Sequence, residues 1–334
     1  MRDTRMWLLA VAVLAFAAQD AVAQRSYNED QPIYPAYEGW VRNADGSLSM
    51  LFGYMNQNWE QEIDVPIGED NRFSPGPIDR GQPTHFLPRR NRFTFMVPVP
   101  EGFGEDDELV WTVKANGSEE KAYGTLREDL FVDNVVIMSE TGALGAGTSS
   151  PEIRANIPPQ VELEGGMERS VRAGEKLTLA AVVTDDGQPN RASLRRAGVA
   201  TVEEEEEEEE APPTPRELFA QALRARTANG TVGKRVALHF TWFVYRTPEH
   251  EPWEDVAVEF DPPQIKPWED TRPFANSPWA VSWKKPELPE DNRWVSEATF
   301  SEPGTYVLHG RADDGGLYTD VEVTVQVEPA KTVF

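Results

Sequence analysis

The sequence predicts an all-β protein of two stacked-sheet sandwich domains, the second interrupted by a charged insertion that carries one short helix. Three observations lead there. Apolar and polar side chains alternate with a period of two along most of the chain, the pattern of half-buried strands. Turn signals such as Asn116-Gly117 and Asp313-Asp314-Gly315-Gly316 separate the alternating runs. The length, 334 residues, exceeds one ordinary domain and suits two.

Composition limits function. With no cysteine the chain has no disulfide framework, no thiolate metal site and no cysteine nucleophile. A net charge of −25 argues against nucleic acid, whose phosphates call for a basic surface, and against anionic lipid.

Arg2 and Arg5 precede an apolar run over residues 6–18, and Ala21-Val22-Ala23 follows. That is the plan of a secretory signal, residues 1–23, too short to span a bilayer and cleaved before Gln24. The sequence therefore predicts a secreted or periplasmic protein with no integral membrane segment after signal cleavage. Residues 24–36 read as an extended polar leader.

The first domain is expected over residues 37–130. Runs 37–43 and 47–56 flank Ala44-Asp45-Gly46, and Leu48, Met50, Phe52 and Tyr54 share one face. Residues 66–91, rich in Pro, Gly, Asn and Arg, read as an irregular excursion. Phe93, Phe95, Val97 and Val99 resume the alternation, then Leu109, Trp111 and Val113, and Asn116-Gly117 turns the chain into a last strand. Residues 131–159, with their Gly-Ala and Ser-Ser-Pro stretches, read as a linker.

The second domain is expected over residues 160–330. Val161 and Leu163 open it. Leu177, Leu179, Ala181 and Val183 share a face, as do Val236, Leu238, Phe240, Trp242 and Val244. Shorter strands are expected near residues 256–260 and 294–300. A closing hairpin joins 305–312 to 317–328, where four valines alternate with polar residues. Between them, residues 187–233 hold the Glu203–Glu210 tract, whose self-repulsion opposes packing. Next comes the one helix: Thr214-Pro215-Arg216-Glu217 is a capping box, Leu218, Phe219, Ala222 and Leu223 form the apolar stripe, and Asn229-Gly230 ends it.

Two segments of this domain, residues 173–187 around Lys176-Leu-Thr-Leu and residues 301–315 around Gly304-Thr-Tyr-Val-Leu, resemble the second and sixth strands of bacterial extracellular immunoglobulin-like repeats of the PKD type. The resemblance implies an immunoglobulin-like sandwich. It casts Tyr306 as a tyrosine-corner residue two positions before Leu308, sets Leu179 opposite Leu308 where a disulfide would lie, and places Trp242 at the centre of the core. By pattern alone the first domain is a second sandwich of this class. Such sandwiches host many unrelated functions.

Catalytic patterns are not legible. There is no Gly-x-Ser-x-Gly elbow, and His250-Glu251 lacks the second histidine of a zincin. His239 and His309 fall opposite the apolar stripes and are expected at the surface. Calcium is the one metal the residue types admit, at Asp185-Asp186 and Asp313-Asp314, although Asp-Gly turn chemistry explains both pairs equally well. Trp253, Trp268, Trp279 and Trp283 lie in a Pro-rich segment without periodicity, where they either form a sugar-binding or protein-binding platform or pack on neighbouring prolines. Arg89, Arg90 and Arg92 make the densest basic stretch, a site for an anionic ligand or a set of local ion pairs. No cofactor is implied. The reading is a non-enzymatic binding or structural module of the envelope or extracellular space, with a protein or polysaccharide partner. The alternatives are a carbohydrate-binding module using the loop tryptophans and a hydrolase with carboxylate catalysis.

Overall fold

Hairpin chemistry sets the register of the first domain. Asn116 and Gly117 both take positive φ, 47° and 80°, and join β7 (Leu109–Ala115) to β8 (Ser118–Gly124). The Asp45 carboxylate accepts the Ser47 N–H at 2.9 Å and shapes the turn between β1 (Ile33–Arg42) and β2 (Leu48–Asn56). The computed structural model describes residues 29–140, 151–189, 238–250, 256–266 and 288–331. The expected signal segment, the glutamate tract and the expected insertion helix lie outside the described residues.

Between these hairpins run β3 (Ile63–Asp64), β4 (Asn71–Ser74), β5 (His85–Phe86) and β6 (Arg89–Pro98). The strands order as β1-β2-β6 and β4-β7-β8, with β3 and β5 as a small separate pair. In immunoglobulin letters these sheets are A-B-E facing C-F-G. The core between them is aromatic. Phe52 of β2 meets Trp111 of β7 edge to face, ring centroids 6.1 Å apart, and also touches Phe73 and Phe95. The Trp111 indole donates to Asn71 Oδ1 at 3.0 Å, and the Asn71 amide donates to the carbonyls of Val65 and Pro83, so the buried amide is fully used.

Three local readings of the sequence change. β1 begins at Ile33, inside the expected leader, and buries that side chain in the core. The excursion over residues 66–91 supplies β4 and β5, too short for a periodicity to show. Phe93 leaves the face it was expected to share with Phe95: a register shift between Phe52 and Tyr54, with Phe93 at φ 50°, turns it to the other side. There it packs with Leu51 and Val132.

The segment read as a linker contains ordered turns. Val132 N–H donates to the Trp40 carbonyl at 2.9 Å and Phe131 meets the Trp40 ring edge to face, centroids 4.9 Å apart. Asp133 then caps α1 (Asn134–Glu140), accepting the Val136 N–H at 2.9 Å. α2 (Pro151–Arg154) follows, and Met138 and Ile153 from the two helices bury against Leu317.

The second domain contains β9 (Gln160–Glu164), β10 (Glu168–Arg172), β11 (Lys176–Thr184), β12 (His239–Arg246), β13 (Val258–Asp261), β14 (Arg293–Phe300), β15 (Gly304–Asp313) and β16 (Tyr318–Glu328). Its sheets order as β13-β14-β11-β9 and β10-β16-β15-β12, which is D-E-B-A facing A′-G-F-C. Gly165 and Gly166, both at positive φ, let the first strand cross between sheets, so that β10 pairs in parallel with β16. Leu179, Trp242, Tyr306 and Leu308 all lie in the core. The Tyr306 hydroxyl donates to the Glu302 carbonyl at 2.8 Å, the tyrosine-corner bond. Two immunoglobulin-like sandwiches thus share the A-B-E and C-F-G orders, to which the second adds strands D and A′.

Removing the aromatic bridge of the first domain, Phe52→Ala, is expected to cost about 3–5 kcal/mol in urea unfolding. Tyr306→Phe deletes one hydrogen bond and should cost about 1 kcal/mol. Equal costs for the two variants would contradict this account of the cores.

Candidate functional site

β12 is buried along both faces. Phe240, Trp242 and Val244 fill its own sandwich, while Phe243 and Tyr245 point the other way and join the core cluster of the first domain. A strand covered on both sides reads as a nearly continuous apolar run. The sequence His-Phe-Thr-Trp-Phe-Val-Tyr carries that signal, which a search for single-face stripes passes over.

The outer face of the β12–β15 pair therefore forms a seam with the first domain. The Tyr245 hydroxyl donates to the Gly81 carbonyl, and the Tyr245 carbonyl accepts the Thr84 N–H at 3.1 Å. Arg246 donates to the Gln82 carbonyl at 3.0 Å and forks onto Asp79 at 2.7 and 3.1 Å. Lys266 Nζ reaches the Pro88 carbonyl at 2.6 Å. At the other end Arg311 donates to the Phe93 carbonyl at 2.9 Å, forks onto Asp320 at 2.7 Å through both arms, and lies 4.2 Å from the centre of the Tyr318 ring. Tyr318 stacks on Phe93, so the bulge in β6 aims both the ring and the carbonyl of Phe93 at the second domain.

The expectation that His239 and His309 are surface residues is corrected: both are buried. His309 stacks on Tyr245 with ring centroids 3.6 Å apart, within the seam, and His239 packs edge-on against Trp294.

The most charged part of the seam surrounds His85. Its Nδ1 lies 2.9 Å from Asp64 Oδ1 and its Nε2 lies 3.0 Å from Glu62 Oε2. Asp64 also accepts the Thr247 hydroxyl at 2.9 Å and faces His250 Nε2 at 3.5 Å, both from the second domain. Burial alone would lower the imidazole pKa. The bonds to Asp64 and Glu62 outweigh it and lift the value from 6.5 to about 10. Burial raises both carboxylates, and His85 more than reverses that, so each sits below its ordinary range. Glu62 is 54% exposed against 22% for Asp64, which makes Asp64 the stronger anchor. An imidazolium held between two carboxylates has no lone pair to offer as a base, and neither carboxylate is held protonated to serve as an acid.

The arginines are used within the chain. Arg90 pairs with Glu38 at 2.7 Å, Arg92 approaches Glu140 at 3.9 Å, and Arg89 covers the Trp59 ring at 4.1 Å while donating to the Gln57 carbonyl. Gly53 lets the first of these pairs form, since a side chain there would collide with the Glu38 carboxylate. Trp253, Trp268, Trp279 and Trp283 lie outside the described residues. Asp185 and Asp186 accept the N–H groups of Gly187 and Gln188, each at 2.8 Å. Asp313 and Asp314 are buried and cap their own turn, and burial together with Asp313 raises the Asp314 pKa to about 7. Among the described residues no three His, Asp or Glu side chains converge as metal ligands, and no helix is long and apolar enough to cross a membrane. Sequence reading missed Asp64, Tyr245 and Arg311, because each takes its role from a partner in the other domain, and His85, whose partners Glu62 and Asp64 lie 23 and 21 positions away in its own.

No protein-family model matches the chain. No curated protein matches it either. Solved structures similar to it include the S-layer protein rSbsC, 10% identical, covering 87% of this chain and 24% of that one with a TM-score of 0.23. A titin immunoglobulin tandem is 10% identical over 90% of this chain and 100% of that chain, TM-score 0.20. The N-terminal eight immunoglobulin domains of the Down syndrome cell adhesion molecule are 8% identical over 89% and 27%, TM-score 0.20. The chain spans about a quarter of the S-layer structure it matches. The fold assignment rests on the strand order, to which scores of this size add nothing.

The His85 cluster predicts a pH window. Its folded pKa is raised, so its contribution is whole below about 6.5 and is lost as pH climbs through about 10. The Asp64 and Glu62 contributions are present above their unfolded values, 3.8 and 4.5, and are lost as pH falls below them. Urea midpoints should therefore decline between pH 6.5 and 10 in the native chain and be flatter over that range in His85→Gln. An identical slope in both would remove His85 as the cause.

Proposed function

We propose that the chain is a non-enzymatic structural or binding module of the envelope or extracellular space, whose two immunoglobulin-like sandwiches are fixed against each other and present their loops to a protein or polysaccharide partner. One observation carries this reading. The outer face of β12 and β15 is spent on an internal seam with directional bonds at Arg246, Thr247 and Arg311, where a flexible tandem would leave that face to solvent. The chemistry of the seam supports the non-enzymatic part, because His85 is saturated by carboxylates. The expected export signal supports the compartment, and the two PKD-like segments support an extracellular repeat of that type.

The test joins shape to location. Small-angle scattering of the mature chain should fit one fixed arrangement of the two domains, whereas Arg311→Ala, which strands Asp320 and the Phe93 carbonyl, should lose about 3 kcal/mol and give a broader distance distribution. Fractionation of the native cell should place the processed chain outside the cytoplasm, where crosslinking captures its partner. Scattering from the native chain that already requires independent domains, or recovery of unprocessed chain from the cytosol, would overturn the proposal.

A further inference from the structure

β6 breaks its ladder with β2 at one point. Phe52 pairs with Phe95, yet Tyr54 pairs with Asn91, so Arg92, Phe93 and Thr94 stand opposite the single residue Gly53. The Thr94 hydroxyl closes this bulge by donating to the Asn91 carbonyl at 3.1 Å, and Phe93 sits at φ 50°. A bulky side chain at positive φ marks strained backbone, and such strain persists only where the surrounding contacts over-determine it. Part of that constraint comes from the second domain. Arg311 donates to the carbonyls of Phe93 at 2.9 Å and Arg92 at 3.4 Å, and the Tyr318 ring stacks on the Phe93 ring with centroids 6.3 Å apart.

The sequence of β6 also suits a ladder without the bulge. Continued from the Phe52–Phe95 pair, the register would set Tyr54 opposite Phe93 and Met55 opposite Arg92, where Asn91 and Arg90 stand now. The difference is two residues, and a slip of two keeps every side chain on its own face. Phe93 would then join Phe95 and Val97 on the inner face, in the alternation that the sequence displays. The outer face is degenerate to the slip. Arg90 pairs with the buried Glu38 carboxylate at 2.7 Å, and Arg92, two positions on, would take the same place. The slack of two residues would pass into residues 87–90, ahead of the ladder. Against these gains, Phe93 would lose Tyr318, Leu51 and Val132, and Arg311 would lose two acceptors.

We propose that β6 is a two-register switch governed by the seam: Arg311 and Tyr318 hold the bulged register, and without them β6 slips two residues into an unbroken ladder with Phe93 turned inward. Docking of the second domain is thereby transmitted to β2 and β6 of the first, a bistable element biased by differential contacts. The inference rests on the fixed seam of the proposed function and adds what that seam controls.

Cross-strand main-chain contacts of Tyr54, measured by nuclear magnetic resonance on the labelled full mature chain, report the register. The native chain should show Tyr54 against Asn91. In Arg311→Ala/Tyr318→Ala, more than half of the molecules should show Tyr54 against Phe93. Gly53→Ala should reach the same state with the seam residues intact, because a Cβ there strikes the Asn91 carbonyl in the bulged register. Phe93→Gly, added to the double variant, relieves the positive φ and should return Tyr54 to Asn91. Tyr54 still opposite Asn91 in the double variant overturns the proposal; should that variant not fold, the same result in Gly53→Ala does so. A Tyr54–Phe93 contact equally populated in the native chain overturns it too. Failure of the fixed seam would appear instead as independent domains in scattering from the native chain, so the two failures are told apart.

Discussion

The arrangement of this protein depends on the outer face of β12 and β15 being covered by the first domain. An immunoglobulin-like sandwich needs only its inner faces buried, and its outer faces can remain in water. Here Phe243 and Tyr245 enter the neighbouring core cluster, and main-chain carbonyls at Gly81, Gln82, Pro88 and Phe93 receive side-chain donors from the second domain. Apolar contact alone would let two domains slide. Bonds to backbone carbonyls fix the angle, because each is satisfied over a narrow range of positions. The irregularities of the first domain serve the same end: the β6 bulge costs ladder bonds and in return aims Phe93 across the seam.

Neither domain has a covalent crosslink, since there are no cysteines. The sandwiches replace it differently. In the first, Phe52 and Trp111 reach across from the strands that carry the bridge in disulfide-linked relatives, surrounded by Phe73, Phe86 and Phe95. In the second, Leu179 and Leu308 share a smaller aliphatic core with Trp242, while the Tyr306 hydroxyl supplies a fixed point on the backbone. Gly310 completes the packing, because a Cβ there would strike the rings of Phe240 and Trp242. In both, burial takes the place of a bridge.

Strands long enough to show a period were legible in the sequence. β11 runs over the same residues as the alternation around Leu179, and β16 over the valines of the final hairpin. β4 and β5 were not legible, because four and two residues cannot establish an alternation within a Pro- and Gly-rich stretch. The site was hidden for a different reason. Period-two patterning says that a strand has two faces and says nothing about which second surface covers the outer one. Asp64 and His85 sit 21 positions apart, and Thr247 lies 183 positions from Asp64. Only the fold brings such residues together. The aromatic outer face of β12 was the one local clue.

The seam also bears on how so acidic a chain holds its charges. A net charge of −25 spread over the surface favours solubility and opposes compaction through self-repulsion. Three cations of the seam stand where that repulsion would otherwise separate the domains: His85 between Glu62 and Asp64, Arg246 on Asp79, Arg311 on Asp320. Each has an acidic partner close enough to outweigh the desolvation of its own charge, and two of the three bridge directly to the other domain. With its pKa lifted to about 10, the histidine in this position is held as a cation at neutral pH. It therefore works as a positive charge in the joint, which accounts for its burial between two carboxylates.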